Sequence, residues 1–312
     1  MIVFGPVPSR RLGRSLGINN IPPKHCSYSC LYCQVGPTQA TEMAPRTFYR
    51  PAQVFNEVSE QVARLRKQGE KIDYLTFVPD GEPTLDARLG ETIELLRSLD
   101  IKIAVISNGS LIWQDHVRSM LTKADWVSLK VDTVDTDVWQ LINRPHQGLE
   151  LATLLAGMLK FAEDFAGTLV TETMLLEDIN TGEEGIARLA DFLLELAPTK
   201  AYIAIPTRPT ADRTVRAPDE ATINRIYQTV SSVISGVELL TGYEGNAFSS
   251  SGDFVADLLA ITAVHPLRKD AVMELLAKTG TEWNVVQALL DAGKLREIIY
   301  RDACFYLRAF RS

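Results

Sequence analysis

Three cysteines near the N-terminus have the spacing of a metal-binding loop. Cys26, Cys30 and Cys33 follow the pattern C-x3-C-x2-C. Thiolates are soft ligands that select iron–sulfur clusters, zinc or Cu(I). A structural zinc site needs a fourth protein ligand, but the only other cysteine, Cys304, lies far along the chain. The ligand count therefore favours a [4Fe–4S] cluster with one iron open to a small molecule.

Three other interpretations of the cysteines carry less weight. His25 adjoins Cys26 and is poorly placed to share its metal, so a zinc loop would lack a ligand. Unrelated buried cysteines remain the second alternative. A disulfide framework fits least well, because crowded cysteines suit reduced metal chemistry.

The elements that must position this loop alternate between strand and helix patterns. Short apolar strands are predicted at Ser15–Asn20, Ile72–Pro79, Lys102–Ser107, Trp126–Val131, Leu169–Leu175 and Ala201–Ile205. Helices are predicted at Pro51–Gln68, Asp86–Leu99, Trp113–Leu121, Leu149–Phe165, Glu183–Leu196 and Pro218–Ile234. Six such units are fewer than the eight of a closed barrel. We therefore predict an α/β fold with a parallel sheet in an open, partial (βα)6 barrel.

Glycine and polar residues follow several of these strands. In parallel α/β sheets, functional groups collect at the carboxyl ends of the strands. The residues concerned are Gly81, Glu82 and Pro83 after the second strand, Ser107 and Asn108 at the end of the third, Lys130 and Asp132 at the end of the fourth, Glu172 on the fifth, and Ile205 and Pro206 at the end of the sixth. Ordinary turns are the alternative for Gly81–Pro83 and Ser107–Asn108, and a mutual ion pair is the alternative for Lys130 and Asp132.

The cysteine loop, with Tyr32 before its last cysteine, and the strand ends together resemble the radical S-adenosylmethionine (radical SAM) superfamily. This resemblance implies that Cys26, Cys30 and Cys33 hold a [4Fe–4S] cluster whose open iron binds S-adenosylmethionine (SAM). An outside donor, of the flavodoxin or ferredoxin type, would reduce the cluster. SAM would then be cleaved to a 5′-deoxyadenosyl radical that abstracts hydrogen from a substrate. The implied cofactor contacts are Tyr32 and the strand-end residues given above.

A narrower resemblance, over about residues 1–245, is to Fe–S oxidoreductases that are similar to the tRNA wyosine-base synthases. Those synthases carry a second set of cysteines, which this chain lacks. A peptide, protein or small-molecule substrate is therefore favoured. Modification of a tRNA base and activation of a glycyl-radical enzyme remain alternatives.

Four basic residues are candidates for substrate binding. Arg11 lies in the N-terminal arm, Arg144 and His146 in a predicted loop, and Arg208 after the sixth strand. Arginine forks bind carboxylate and phosphate groups. Salt bridges or solvated surface positions are the alternative for each of them.

The predicted C-terminal domain, residues 248–312, lacks the strand–helix alternation of the barrel at residues 1–247. Helices are predicted at Asp253–Ala263, Arg268–Thr279 and Thr281–Ala292, followed by a β-hairpin that turns near Arg301 and Asp302. This outline resembles a winged helix, which suggests nucleic-acid binding. The third helix contains no lysine or arginine, however, so docking of a protein or substrate is favoured. Cys304 is expected to be part of the core.

Composition limits the remaining functions. The net charge of −7 argues against a protein that coats nucleic acid, although a local basic patch is compatible with it. No apolar run is long enough to span a membrane, and no signal-peptide pattern follows Met1. We expect a cytoplasmic enzyme without a membrane partner. A cluster-bearing regulator that senses redox state or SAM and binds nucleic acid is the alternative of a different class.

Overall fold

The computed structural model describes residues 2–242, 252–264, 266–300 and 302–309. In this part of the chain, eight strands form one sheet in sequence order. They are β1 (Val3–Ser9), β2 (Gly13–Ile18), β3 (Tyr74–Phe77), β4 (Lys102–Ser107), β5 (Trp126–Lys130), β6 (Thr168–Met174), β7 (Lys200–Ala204) and β8 (Val237–Leu240). Strand β1 pairs antiparallel with β2. Each later strand pairs parallel with the one before it, so the carboxyl ends of β2–β8 lie at one edge.

Helices connect the parallel strands and bury their apolar faces against the sheet in a common core. They are α1 (Pro51–Lys67), α2 (Leu89–Leu96), α3 (Asp115–Leu121), α4 (Thr136–Asn143), α5 (Leu151–Asp164), α6 (Glu183–Leu196) and α7 (Glu220–Ser231). In α1, proline occupies the first turn, where its missing N–H costs nothing. The helix buries Val54, Val58, Val62 and Leu65 on one face, as their spacing predicts.

The predicted alternation is confirmed, with additions at both ends. Strands β2–β7 are each followed by one or more helices, which gives the six predicted βα units. The N-terminal arm, predicted only as extended, forms the antiparallel edge strand β1, which contains Pro6 and Pro8. Proline is tolerated in edge strands because one side of such a strand forms no ladder. Strand β8, which was not predicted, extends the sheet by a further parallel strand.

The C-terminal segment contains the three predicted helices and the predicted hairpin. The helices are α8 (Phe254–Val264), α9 (Lys269–Thr279) and α10 (Trp283–Asp291), and the hairpin consists of β10 (Leu295–Tyr300) and β11 (Ala303–Arg308). A short strand, β9 (Leu267–Arg268), completes the small sheet by pairing with β11. Cys304, expected to be part of the core, packs against a separate hydrophobic core and is half-buried at its edge. The predicted domain boundary at residues 247 and 248 lies outside the described residues and stays a prediction.

The C-terminal segment packs directly on the barrel. Val7 of β1 contacts the C-terminal core, and helix α8 lies against β1. The hydroxyl of Tyr300 donates a hydrogen bond of 3.2 Å to the carbonyl of Pro206, just after β7. The hairpin therefore reaches the carboxyl edge of the sheet. Across the described ranges, none of the helices combines the length and the apolarity that crossing a bilayer requires.

Candidate active site

The cysteine loop follows β2 and is fixed on one side by the segment after β3. The amide of Lys24 donates to the carbonyl of Asp80 at 2.7 Å. The amide of Glu82 donates to the carbonyl of His25 at 2.9 Å, and Gly81 pairs with His25 in a short parallel bridge. Main-chain hydrogen bonds therefore hold the residues just before Cys26 against the Gly81–Pro83 turn.

Helix α4 fixes the other side of the loop. The amides of Ser29 and Leu31 donate to the carbonyls of Asn143 and Ile142, at 3.0 and 2.9 Å. These carbonyls lie in the last turn of α4, where they lack partners within the helix. Helix α4 was not predicted, but it ends at Asn143, so Arg144 and His146 lie in a loop as predicted. The helix begins at an Asp135 cap that accepts hydrogen bonds from the amides of its first turn.

The three thiols line one cavity of about 250 Å³. The Asn108 side-chain amide donates to the Cys26 sulfur at 3.6 Å, and that of Asn143 donates to the Cys30 sulfur at 3.4 Å. Burial raises the pKa of all three thiols, and that of Cys30 reaches about 12. Such thiols bind a metal by releasing their protons to solvent.

Glu82 is a buried carboxylate that links two strand ends. Its oxygens accept hydrogen bonds from the Ser107 hydroxyl at 2.7 Å, the Asn108 amide at 2.7 Å and the Thr84 hydroxyl at 2.6 Å. Burial raises the pKa of Glu82, while these donors act to lower it. A buried charge with this many donors is well compensated. Glu82 therefore fixes the turn after β3 to the end of β4.

Asp132 plays the same linking role beside Cys30. Its carboxylate accepts hydrogen bonds from the Asn143 side chain at 2.8 Å and from the Met174 amide at 2.8 Å, and it also binds the Tyr32 hydroxyl. Lys130 forms no salt bridge with Asp132, contrary to the alternative considered from the sequence. Asp132 instead joins the cysteine loop, α4 and the end of β6.

Glu172 lies between two cations inside the barrel. Its carboxylate accepts a hydrogen bond of 2.7 Å from Lys130 and forms an ion pair with Arg11. Burial alone would raise its pKa, but the Arg11 and Lys130 charges outweigh burial and lower it to about 2. The Lys130 ammonium also lies 4.8 Å from the centre of the Tyr32 ring, a favourable cation–π distance. The glutamate thus neutralises the basic side chains next to the cysteine loop.

Replacing Glu172 with glutamine should lower the stability of the protein by about 3 kcal/mol, because it leaves two buried cations without their counter-ion. The folded pKa of Glu172 lies below its ordinary value of 4.5. Its contribution is therefore complete above about pH 4.5 and would be lost only as the pH falls towards 2. Thermal unfolding should therefore show the same loss of stability of Glu172→Gln relative to the wild type at pH 5.5 and at pH 8.

The matched control for this change is Glu238→Gln. Glu238 pairs with Lys200 at 2.9 Å, but both side chains are largely exposed. Exposed pairs contribute little, so this variant should unfold close to the wild type. Equal effects of the two substitutions would contradict the central role of Glu172.

The four candidate substrate residues do not converge on the cysteine cavity. Arg11 pairs with Glu172, and Arg208 is buried with its guanidinium 3.2 Å from the side-chain oxygen of Gln34. Arg144 is half-exposed and pairs with Asp212 at 3.3 Å. The ring of His146 accepts a hydrogen bond from the Gly148 amide at 3.0 Å. Their contact with a substrate stays a prediction.

Sequence reasoning did not single out three residues that the structure brings to the site. Asn143 donates to Cys30 and Asp132, and Lys24 lies 3.5 Å from the carboxylate of Asp80. Asp80 lines the cysteine cavity, and burial raises its pKa to about 6, against the opposing effect of Lys24. The position of Asp80 directly after β3 was the available signal, because strand ends collect functional groups.

A comparison with protein families decides the identity of this arrangement. The family model described as the radical SAM superfamily matches residues 20–193, which include the cysteine loop and the ends of β3, β4 and β5. The chain belongs to the radical SAM superfamily. It is accordingly an enzyme, and its family uses a [4Fe–4S] cluster and SAM.

A relative and two solved structures show which proteins this chain is similar to in sequence and in fold. A UPF0026 protein of Methanocaldococcus jannaschii is 45% identical over 100% of this chain and 97% of its own length. A radical SAM methyltransferase from Sphaerobacter thermophilus shares the fold with a TM-score of 0.56 at 14% identity, over 73% of this chain and 66% of that one. TYW1 with a lysine-pyruvate adduct bound has a TM-score of 0.54 at 14% identity, over 71% of this chain and 74% of that one.

The residues at the radical SAM site fit the two cofactors. Three cysteines are the donor set for a cluster with one open iron. Asp80 is buried, and its carboxylate forms an ion pair with the Lys24 ammonium at 3.5 Å but has no closer hydrogen-bond donor among the described residues. Buried carboxylate oxygens normally accept several hydrogen bonds, so Asp80 can accept a further one from a donor such as the ammonium group of SAM. Tyr32, Gly81, Lys130 and Glu172 also line the cavity.

Proposed function

We propose that this enzyme cleaves SAM reductively and uses the 5′-deoxyadenosyl radical to abstract hydrogen from its substrate. The observation that carries the proposal is the single cavity lined by Cys26, Cys30 and Cys33 together with polar side chains from the carboxyl edge of the sheet. When bound, the cluster and SAM supply the electron transfer and the radical. The chain holds these groups in position and limits access of water.

The predicted cofactor residues divide into two sets within this proposal. Tyr32, Gly81, Lys130 and Glu172 line the cavity and would contact the cofactors directly. The second set does not line the cavity and comprises Glu82, Pro83, Ser107, Asn108, Asp132, Ile205 and Pro206. In that set, the oxygens of Glu82 and Asp132 are already engaged by protein donors, as described above. We therefore assign these two carboxylates to positioning.

The test of the proposed function is anaerobic reconstitution with iron and sulfide, followed by reduction with dithionite in the presence of SAM. We expect about four irons per chain and formation of 5′-deoxyadenosine. Bound iron and SAM without cleavage would favour the alternative of a regulator that senses SAM or redox state. Zinc in place of iron would exclude both functions.

The C-terminal segment supports a docking role more than nucleic-acid binding. We propose that α8–α10 and the hairpin form a winged-helix-like module. Helix α10 carries no lysine or arginine and ends in Asp291, a composition that suits neither phosphates nor base edges. A peptide, protein or small molecule is therefore the favoured substrate class. Modification of a tRNA base and activation of a glycyl-radical enzyme remain the alternatives.

We further propose a flavodoxin- or ferredoxin-type electron donor and a cytoplasmic location. The electron donor follows from the need to reduce the cluster. The location follows from the four free cysteines, which suit a reducing compartment.

A further inference from the structure

A cleft of about 710 Å³ lies beside the cysteine cavity. The segment after Cys33 forms one wall, and the loop after β7 forms a second, ending at Arg213. The C-terminal hairpin forms the third wall with Arg296, Ile298, Leu307 and Arg308. The barrel and the C-terminal module therefore build this cleft together.

The lining of the cleft is basic, although the chain as a whole carries a net charge of −7. Lys24, Arg213, Arg296 and Arg308 all line it. Its acidic lining residue, Glu42, is already engaged, because it pairs with Arg46 at 2.8 Å and contacts the ring of His25. Lys24 is paired with Asp80 at 3.5 Å, and Glu42 is engaged by Arg46, so the carboxylate in the lining does not neutralise the arginines that face the cleft.

Two of these arginines are particularly suited to an outside anion. Arg213 and Arg296 are exposed, and within the described residues no acidic side chain forms an ion pair with either. They come from different elements, the loop after β7 and strand β10. Guanidinium groups bind phosphate through paired, charge-assisted hydrogen bonds. An anion in the cleft could therefore contact both parts of the molecule.

The cleft is next to the site of the radical chemistry. Gln34 and Val35, directly after Cys33, line both the cleft and the cysteine cavity. The Arg208 guanidinium donates a hydrogen bond of 3.2 Å to the side-chain oxygen of Gln34, and the hydroxyl of Tyr300 in the hairpin donates to the carbonyl of Pro206. A molecule anchored by its anionic end in the cleft can thus extend towards the cysteines.

We propose that this cleft binds a phosphate group of the substrate, and that the substrate is a small organic phosphate. The volume lies in the range of small-molecule sites, about 300–1,000 Å³. Two arginines from different elements of one cleft match a multiply charged group better than a single carboxylate. This inference rests on the proposed function only for the step in which the bound molecule loses hydrogen, and not for its binding.

The experiment measures binding of inorganic pyrophosphate to the reconstituted full-length protein by titration calorimetry. The variant Arg213→Gln/Arg296→Gln should bind pyrophosphate at least about tenfold more weakly, because charge-assisted hydrogen bonds are lost. The matched control is Arg50→Gln/Lys102→Gln, which removes the same charge from exposed positions outside the cleft lining. The control should bind like the wild type, and both variants should bind SAM normally.

Equal pyrophosphate affinities of the cleft and control variants would overturn the assignment. Citrate bound as tightly as pyrophosphate would overturn the choice of phosphate, and an RNA oligonucleotide bound far more tightly would overturn the small-molecule class. The SAM-cleavage assay is separate. Pyrophosphate binding in a protein that never forms 5′-deoxyadenosine would refute the proposed function and leave the phosphate site intact.

Discussion

Replacing Cys30 with alanine should reduce the formation of 5′-deoxyadenosine to the background of the assay. The substitution leaves two thiols at the cavity, which is too few for a stable site-differentiated [4Fe–4S] cluster. It also removes the sulfur that accepts the Asn143 hydrogen bond beside Asp132. We expect the iron content after reconstitution to fall from about four to below about one per chain.

The matched control for this prediction is Cys304→Ala. Cys304 is half-buried in the C-terminal hairpin, at the edge of a separate core, and lies outside the cysteine cavity. Its loss should leave the iron content and SAM cleavage unchanged. If Cys304→Ala lost iron as Cys30→Ala does, the three-cysteine site would be incomplete without it. If Cys30→Ala retained cleavage, the proposed cluster site would be wrong.

The sequence predicts the elements with strong periodic patterns well. Helix α6 has the predicted bounds, Glu183–Leu196, because its apolar residues recur at helical spacing and acidic residues occupy its first turn. Strand β4 also has its predicted bounds. Such segments bury one continuous face, so local pattern and tertiary structure agree.

The elements that the sequence missed depend on contacts made by distant residues. Strand β1 contains two prolines, which argue locally against a strand, yet it pairs with β2 at the edge of the sheet. Helix α4 is only eight residues long, and its last carbonyls are satisfied by amides of the cysteine loop. No local sequence pattern predicts these hydrogen bonds, because the donating amides of Ser29 and Leu31 lie more than a hundred residues earlier in the chain.

The structure brings the three predicted cysteines to one cavity, and it adds contacts there that the sequence did not predict. The parallel sheet brings Lys130 and Glu172 into register on neighbouring strands, which spacing within one strand cannot show. Because of this register, Lys130 forms its salt bridge with Glu172 and not with Asp132. Asn143 was missed as a cysteine partner because its side chain reaches Cys30 only through the packing of α4.

Replacing Gly81 with alanine should lower SAM cleavage by about a hundredfold, since misplacement of reacting groups by about 1 Å can have an effect of that size. A Cβ atom at this position would lie 2.0 Å from the carbonyl oxygen of His25 and 2.9 Å from its carbon. Main-chain atoms cannot rotate away as a side chain can. The loop must therefore move, and His25 directly precedes Cys26, the first of the three proposed cluster ligands.

Three measurements separate the consequences of that movement: iron content after reconstitution, SAM affinity and the rate of 5′-deoxyadenosine formation. We expect all three to decline in Gly81→Ala. The control Gly182→Ala should change none of them, because a Cβ at Gly182 meets nothing within 4 Å. A normal iron content with weakened SAM binding would confine the role of Gly81 to SAM. Wild-type values throughout would show that the close contact between the two loops is not needed, and the turn after β3 would then have no part in positioning the cluster.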